Sequence, residues 1–436
     1  MKKGKYLAPR EGNPLLAVVK ILAAVLAVII VAFGAWLWFA PEELPEEDAS
    51  MNSVPATTVP ETTQPPQTQP TETQPTEPEV PEEPVERQQA RTILAGMTQE
   101  EKIYQLFFVV PEQLTNGGSV TQADEDMQTA LAERPVGGII LFEENIEDPG
   151  QTKTMISGMQ SYSKLGLFIG VDEEGGTVRR LGSNQKMGIT DVGPMLDIGK
   201  NGDTEEARKA GKTIGEELAK LGINVDFAPV ADVFSNPENK VIGDRAFSDD
   251  PQVAAQMVAA AVEGFQESGV LCTLKHFPGH GDTKEDSHTD TAISNKTLEQ
   301  MRECEFVPFQ AGIQAGAPFV MMGHITVPQV TQEDVPASLS SEVVTGLLRE
   351  EMGYNGLVIS DAMNMGAITE HYATGEATVM ALKAGVDIIL MPKDLDDAVE
   401  GVEDALADGT LTQQELDEKV LRILETKIRA GIIKPL

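Results

Sequence analysis

Three of the chain's five histidines stand within one short stretch, Lys275-His276-Phe277-Pro278-Gly279-His280-Gly281-Asp282-Thr283-Lys284-Glu285-Asp286-Ser287-His288. Imidazole, ammonium and carboxylate groups crowd together there, while Gly and Pro shape the backbone that carries them. That mixture suits proton transfer and the binding of a polar ligand better than it suits a solvated turn. Asp286 and His288 are two apart, a spacing that lets an acid orient an imidazole and tune its proton affinity. A second reactive group, Asp361, directly follows the apolar run Leu357-Val358-Ile359-Ser360. A carboxylate mounted on a rigid strand end suits a nucleophile or a fixed base; the plainer reading is an Asp that caps a helix. A carboxylate nucleophile with a His acid/base would fit a two-step displacement through a covalent intermediate. Zinc binding competes, since His276, His280, Asp282, Asp286 and His288 are all ligand types. Lys275 and Lys284 would place positive charge beside the ion, however, and the spacing matches no standard ligand pattern. No metal and no other cofactor is therefore expected. A Ser-His-Asp hydrolase is the weakest reading, because G-x-S-x-G is absent.

The elements that must hold these groups are legible as eight short apolar runs: Gln105–Val110, Gly137–Phe142, Leu167–Val171, Val225–Val230, Val270–Leu274, Phe319–Met322, Leu357–Ile359 and Val386–Met391. Amphipathic stretches lie between most of them, at Thr204–Leu221, Pro251–Gln266, Leu298–Gln314, Ser341–Met352 and Ala373–Ala384, and Gln413–Ala430 closes the chain. Strands alternating with helices in this number predict an α/β fold, a (β/α)8 TIM-type barrel forming a single catalytic domain over 87–436. A doubly wound open sheet is the alternative, but no G-x-G-x-x-G fingerprint is present. Polar groups follow five consecutive strands. Asp172, Glu173, Glu174 and Arg180 follow the third, Asp232 and Arg245 the fourth, Lys275 and His276 the fifth, His324 the sixth and Asp361 the seventh. The carboxyl ends of barrel strands form the catalytic face.

The formal net charge of -36 argues against a nucleic-acid partner, which would require phosphate contacts. Cys272 and Cys304 make no disulfide framework. Near the amino end, Lys2, Lys3, Lys5 and Arg10 precede a run without charge from Ile21 to Ala40, with Trp36 and Trp38 near its far end. This pattern predicts a cytoplasmic N-terminus over 1–14 and a transmembrane signal-anchor helix over 15–40, with the rest of the chain extracellular at the cell membrane. Residues 41–86, rich in Pro, Thr, Gln and Glu, read as a disordered linker of at most roughly 140 Å.

The residues also resemble a known family. Lys275–His288 is similar to the long loop of the β-N-acetylglucosaminidase branch of glycoside hydrolase family 3. So are Val171–Gly176 (VDEEGG), Val241–Phe247 (VIGDRAF), Met322–Ile325 (MGHI) and Val358–Ile368 (VISDAMNMGAI). The resemblance runs from about Arg91 to Lys427. It implies a barrel with Asp361 as the nucleophile and His288 as the acid/base, partnered by Asp286. It also implies that Asp172, Arg180, Arg245, Lys275 and His276 hold the sugar. Thr177 departs from the Arg that many members carry there. The chain leaves no room for the second α/β domain of larger members, which suits the compact ones. The activity implied is retaining exo-β-N-acetylglucosaminidase, acting as a monomer on a GlcNAc-containing glycan or muropeptide. A phosphorylase on the same site, another β-glycosidase and a non-catalytic wall-binding protein are the competing functions.

Overall fold

The computed structural model of the chain describes residues 83–115, 118–284, 292–332 and 334–434. Each apolar run overlaps a strand: β1 (Phe107–Val109), β2 (Gly138–Ile140), β3 (Phe168–Val171), β4 (Val225–Asp226), β5 (Leu271–Phe277), β6 (Phe319–Met322), β7 (Leu357–Ser360) and β8 (Ile389–Leu390). They form one sheet in the order β7-β6-β5-β4-β3-β2-β1-β8. All of its pairings are parallel. A further parallel bridge between Ile359 and Ile388 joins β7 to the approach of β8 and closes the barrel. Both faces of such strands are covered, which is why they read as apolar runs rather than as alternating ones.

Side chains two apart share a strand face. On the inner face, Phe108 of β1 meets Phe227 beyond β4 with ring centres 5.4 Å apart, and Phe168 of β3 meets Phe319 of β6 edge-on at 5.4 Å. Gly170 makes room for this cluster: a Cβ there would stand 2.7 Å from Phe108 Cζ. The next inward positions on β3, β5 and β7 are Asp172, Lys275 and Asp361. The alternation that fills the barrel thus also delivers the polar groups to its mouth.

The helices pack outside. Thr204–Leu221 starts where the Asp203 side chain accepts the Glu205 N–H and ends at Gly222, whose φ of 91° completes the cap. The stretch Leu298–Gln314, which reads as one helix, is two, Leu298–Glu303 and Phe306–Gln314. Pro308 has no N–H to offer the Cys304 carbonyl, so the first helix cannot run on through it. Glu342–Glu351 winds as a π-helix. The first described helix, Val85–Ala95, already includes Val85 and Glu86, which composition assigns to the linker.

The expected transmembrane signal-anchor requires correction. No helix among the described residues is long and apolar enough to cross a membrane. The described helices show why: on Thr204–Leu221, Ala207, Ile214 and Leu218 are buried while Glu205, Lys209 and Glu216 are exposed, whereas a bilayer demands apolar residues all round. Residues 1–82, which include the segment 15–40 assigned to the anchor, lie outside the described residues. The membrane partner, the cell-membrane location and the extracellular placement are withdrawn with the anchor.

The closing helix, Gln413–Arg429, sends two cations, Lys419 and Lys427, into the protein. Lys427 is fully buried, and its ammonium donates to Gln105 Oε1 (2.8 Å) and the Gly166 carbonyl (2.9 Å) and lies 5.1 Å from the centre of the Phe168 ring. Burial pushes its pKa down to about 7. Between that value and the ordinary 10.5, the unfolded chain binds the proton that the folded chain releases, so this group makes stability rise with pH across the window. Denaturant unfolding at pH about 7 and about 10 should show this rise in the wild type and a smaller one in Lys427→Met. Equal slopes in the two proteins would contradict the assignment.

Candidate active site

A cavity of about 350 Å³ opens at the carboxyl ends of the strands. Asp172, Arg180, Arg245, Lys275, His276 and Asp361 all line it, so six side chains singled out from the sequence meet in one place. Asp286 and His288 lie outside the described residues. Ile140, Phe227, Met321 and Leu390 of the inner barrel face, with Phe142, Met365 and Met391, supply the apolar part of the lining.

Asp361 is held through its backbone. Its N–H donates to the Met322 carbonyl (2.8 Å), and its Oδ1 accepts the N–H of Ala362 (2.8 Å). The following helix, Gly366–Thr369, begins behind Met365, which removes the helix-cap reading of Asp361. The buried His324 supports the same turn. Its ring nitrogens meet Ser338 Oγ (2.8 Å) and the Ala362 carbonyl (3.1 Å).

The cations are gripped by acids. Lys275 Nζ lies 2.7 Å from Asp172 Oδ1 and 2.6 Å from Glu174 Oε1. Arg245 makes a bidentate pair with Glu174, Nε to Oε2 and Nη2 to Oε1, both 2.8 Å. Its Nη1 donates to the Val241 carbonyl (2.8 Å). Burial opposes the charged form of Glu174, but the Arg245 guanidinium and the Lys275 ammonium outweigh it and hold the carboxyl well below the usual range. Burial likewise disfavours the ammonium of Lys275, yet Asp172 and Glu174 raise its pKa above the ordinary value. Arg180 is placed more loosely, 3.8 Å from Asp172 and 3.6 Å from Glu143, with its guanidinium 5.3 Å from the Phe142 ring centre. Glu173 points the other way and ties down the turn that carries Arg180 by accepting the N–H groups of Leu181 (2.7 Å) and Gly182 (3.1 Å). Burial pushes its pKa up to about 7. Thr177 meets Asp244 Oδ1 at 3.3 Å.

One buried carboxylate organises the start of the histidine-rich loop. Asp232 Oδ2 is 2.7 Å from His276 Nδ1, and its Oδ1 accepts the backbone N–H groups of His276 (3.2 Å) and His280 (2.6 Å). His280 is buried. Its Nδ1 faces Thr283 Oγ1 (2.6 Å), and burial lowers its pKa. Asn239 Nδ2 donates to the His280 carbonyl (2.7 Å). At Gly281 an added Cβ would stand 1.8 Å from the Val233 carbonyl oxygen. Gly281→Ala must therefore lift the loop. The expected loss is at least about tenfold in kcat/KM with about 1–3 kcal/mol of stability. Steady-state kinetics and denaturant unfolding would check both, and unchanged kinetics would contradict the close fit.

Glu174 and Asp232 were present in the sequence but received no role there. Glu174 shares its strand-face parity with Asp172, which is the signal that marks it. The grip of Asp232 on a loop more than forty residues away leaves no local trace.

Comparison with known proteins agrees with this geometry. Residues 98–426 match the glycosyl hydrolase family 3 N terminal domain. Beta-hexosaminidase A of Pseudoalteromonas piscicida is 36% identical over 340 residues, which cover 71% of this chain and 56% of that protein. Beta-hexosaminidase of Stenotrophomonas maltophilia (strain K279a) is 38% identical over 297 residues, 66% of this chain and 85% of the relative. The structure of a glycoside hydrolase family 3 beta-N-acetylglucosaminidase from Paenibacillus sp. str. FPU-7 superposes with a TM-score of 0.73 at 36% identity, covering 78% of this chain and 64% of that one. This chain thus spans little more than half the length of the first of these relatives. With the barrel, the strand-end cavity and these matches together, the chain belongs to glycoside hydrolase family 3, in its β-hexosaminidase branch.

Proposed function

We propose that the protein is a retaining exo-β-N-acetylglucosaminidase that releases terminal non-reducing GlcNAc from peptidoglycan fragments, with Asp361 as nucleophile and His288, partnered by Asp286, as acid/base. The observation that carries the reading is Asp361 at the rim of β7, lining the strand-end cavity together with Asp172 and Glu174. Asp172 and Glu174 are both paired with Lys275, and Glu174 is held ionised by two cations. Retaining glycosidases ordinarily use two carboxyl groups, one of which gives a proton to the leaving oxygen. A carboxylate locked in its ionised form is a poor donor, which favours an imidazole in that role. With a pKa near neutrality, an imidazole can give and then retake the proton. In the first step Asp361 attacks the anomeric carbon while His288 protonates the departing oxygen. In the second, water enters with His288 as base and the glycosyl–Asp361 bond breaks. Asp172, Arg180, Arg245, Lys275 and His276 hold the ring hydroxyls. The β-hexosaminidase relatives favour GlcNAc over glucose as the ring that is held.

Nitrophenyl β-GlcNAc and β-glucose glycosides, assayed with the full chain in the presence and absence of phosphate, test this. GlcNAc-selective release of the free sugar is expected. Release of a sugar 1-phosphate in its place would make the enzyme a phosphorylase, and preference for glucose would overturn the substrate.

A further inference from the structure

Glu174 lines the cavity, yet both of its oxygens are taken by protein groups. Oε1 accepts from Lys275 and Arg245, and Oε2 accepts from Arg245. It therefore reaches any ligand through the two cations. Its side chain is 2% exposed and those of Lys275 and Arg245 are 3% and 12% exposed, so these ion pairs are little screened by solvent.

The donors that remain tell what the arrangement is for. A guanidinium carries five N–H groups and an ammonium three. Arg245 commits Nε–H, one N–H of Nη1 and one of Nη2 to Glu174 and Val241. Lys275 commits two to Asp172 and Glu174. Among the described residues, one N–H on each terminal nitrogen of Arg245 and one on Lys275 are left over. Their directions are set by the bonds already made, because the bidentate grip fixes the guanidinium plane. Net charge is largely cancelled within the cluster, which suits a neutral ligand rich in hydroxyl oxygens.

We propose that Glu174 is a positioning residue of the sugar site: it fixes Arg245 and Lys275 so that their remaining N–H donors meet the hydroxyl oxygens of the bound ring. Among the described residues, Glu174 is the one side chain bonded to both cations, so their relative placement depends on it. Orientation of this kind is felt steeply, since a misplacement of about 1 Å can cost on the order of a hundredfold in rate. The inference rests on the glycosidase activity and is independent of which glycan the enzyme meets.

The test uses the full chain with Glu174→Gln and Glu174→Asp. It measures nitrophenyl β-GlcNAc kinetics, thermal unfolding and the crystal structure of each variant. Glu174→Gln is expected to raise KM at least about tenfold and to lower kcat/KM about a hundredfold, with the Arg245 guanidinium displaced. Glu174→Asp keeps the charge and should recover part of the loss. Kinetics within threefold of wild type in Glu174→Gln would overturn the proposal, as would Arg245 unmoved in its structure. If Glu174→Gln does not fold, Glu174→Asp decides: a raised KM supports the role and an unchanged KM overturns it. A wild-type chain inactive on the aryl glycoside would sink the substrate reading alone, because the position of Arg245 is read from the variant structures without turnover.

Discussion

Asp361→Asn is expected to lower kcat/KM on an aryl β-glycoside by on the order of 10⁴-fold or more, as in other enzymes stripped of their nucleophile. That corresponds to about 5 kcal/mol of lost transition-state stabilisation. The change is small in every other respect. An Asn side-chain oxygen can still accept the Ala362 N–H that Asp361 Oδ1 accepts at 2.8 Å, and the backbone bond to Met322 is untouched. Thermal unfolding should therefore stay close to that of wild type while turnover disappears. The amide cannot form a glycosyl ester, so rapid mixing should also show no burst of the aryl alcohol. A variant that keeps a tenth of wild-type turnover would rule out Asp361 as nucleophile.

Lys275→Met should damage both stability and catalysis. Removing one partner of a buried ion cluster leaves uncompensated charge, at a cost of about 3–5 kcal/mol. Here Asp172 loses its 2.7 Å partner and Glu174 retains Arg245 alone. Loss of a donor proposed to hold the sugar should also lower kcat/KM by about a hundredfold or more. The pH dependence has a definite sign. The pKa of Glu174 is held below the ordinary 4.5 of a glutamate in the folded protein, so its contribution to stability is present above that value and is lost as the pH falls beneath it. Without Lys275 the folded pKa moves back up and less of that stability is available. The gap between wild type and Lys275→Met should thus be widest near neutral pH and narrow below pH about 4. Denaturant unfolding of both proteins across that range measures it; a gap that widens with acid would contradict the ion-cluster account.

The barrel was legible because its strands are buried on both faces, so the apolar runs stand out against the helices between them. Period-two alternation then carried Asp172, Lys275 and Asp361 to the mouth without further information. The pairing of charges was not legible in the same way. Arg245 finds Glu174 across 71 residues of sequence and His276 finds Asp232 across 44, and such partners are set by tertiary packing alone. Leu298–Gln314 misled because its apolar spacing continues across a break that Pro308 imposes. The amino-terminal apolar run was read from hydropathy, and the structure offers no membrane-crossing helix among the described residues. The proposed acid/base pair Asp286 and His288 lies outside those residues, while the Asp232 clamp at His276 and His280 fixes the start of the stretch that leads to it.

Among the described residues, the cavity is closed on its barrel side. Ile140, Phe227, Met321 and Leu390 floor it with packed barrel interior, and its volume of about 350 Å³ is near the lower limit for small-ligand pockets. On the proposed exo-glycosidase activity, a polymer does not thread through such a site or slide along it, so every cleavage ends an encounter. Degradation is then distributive. Its rate follows the molar concentration of chain ends and not the mass of glycan, and a given mass of substrate is consumed faster the more finely it has already been cut.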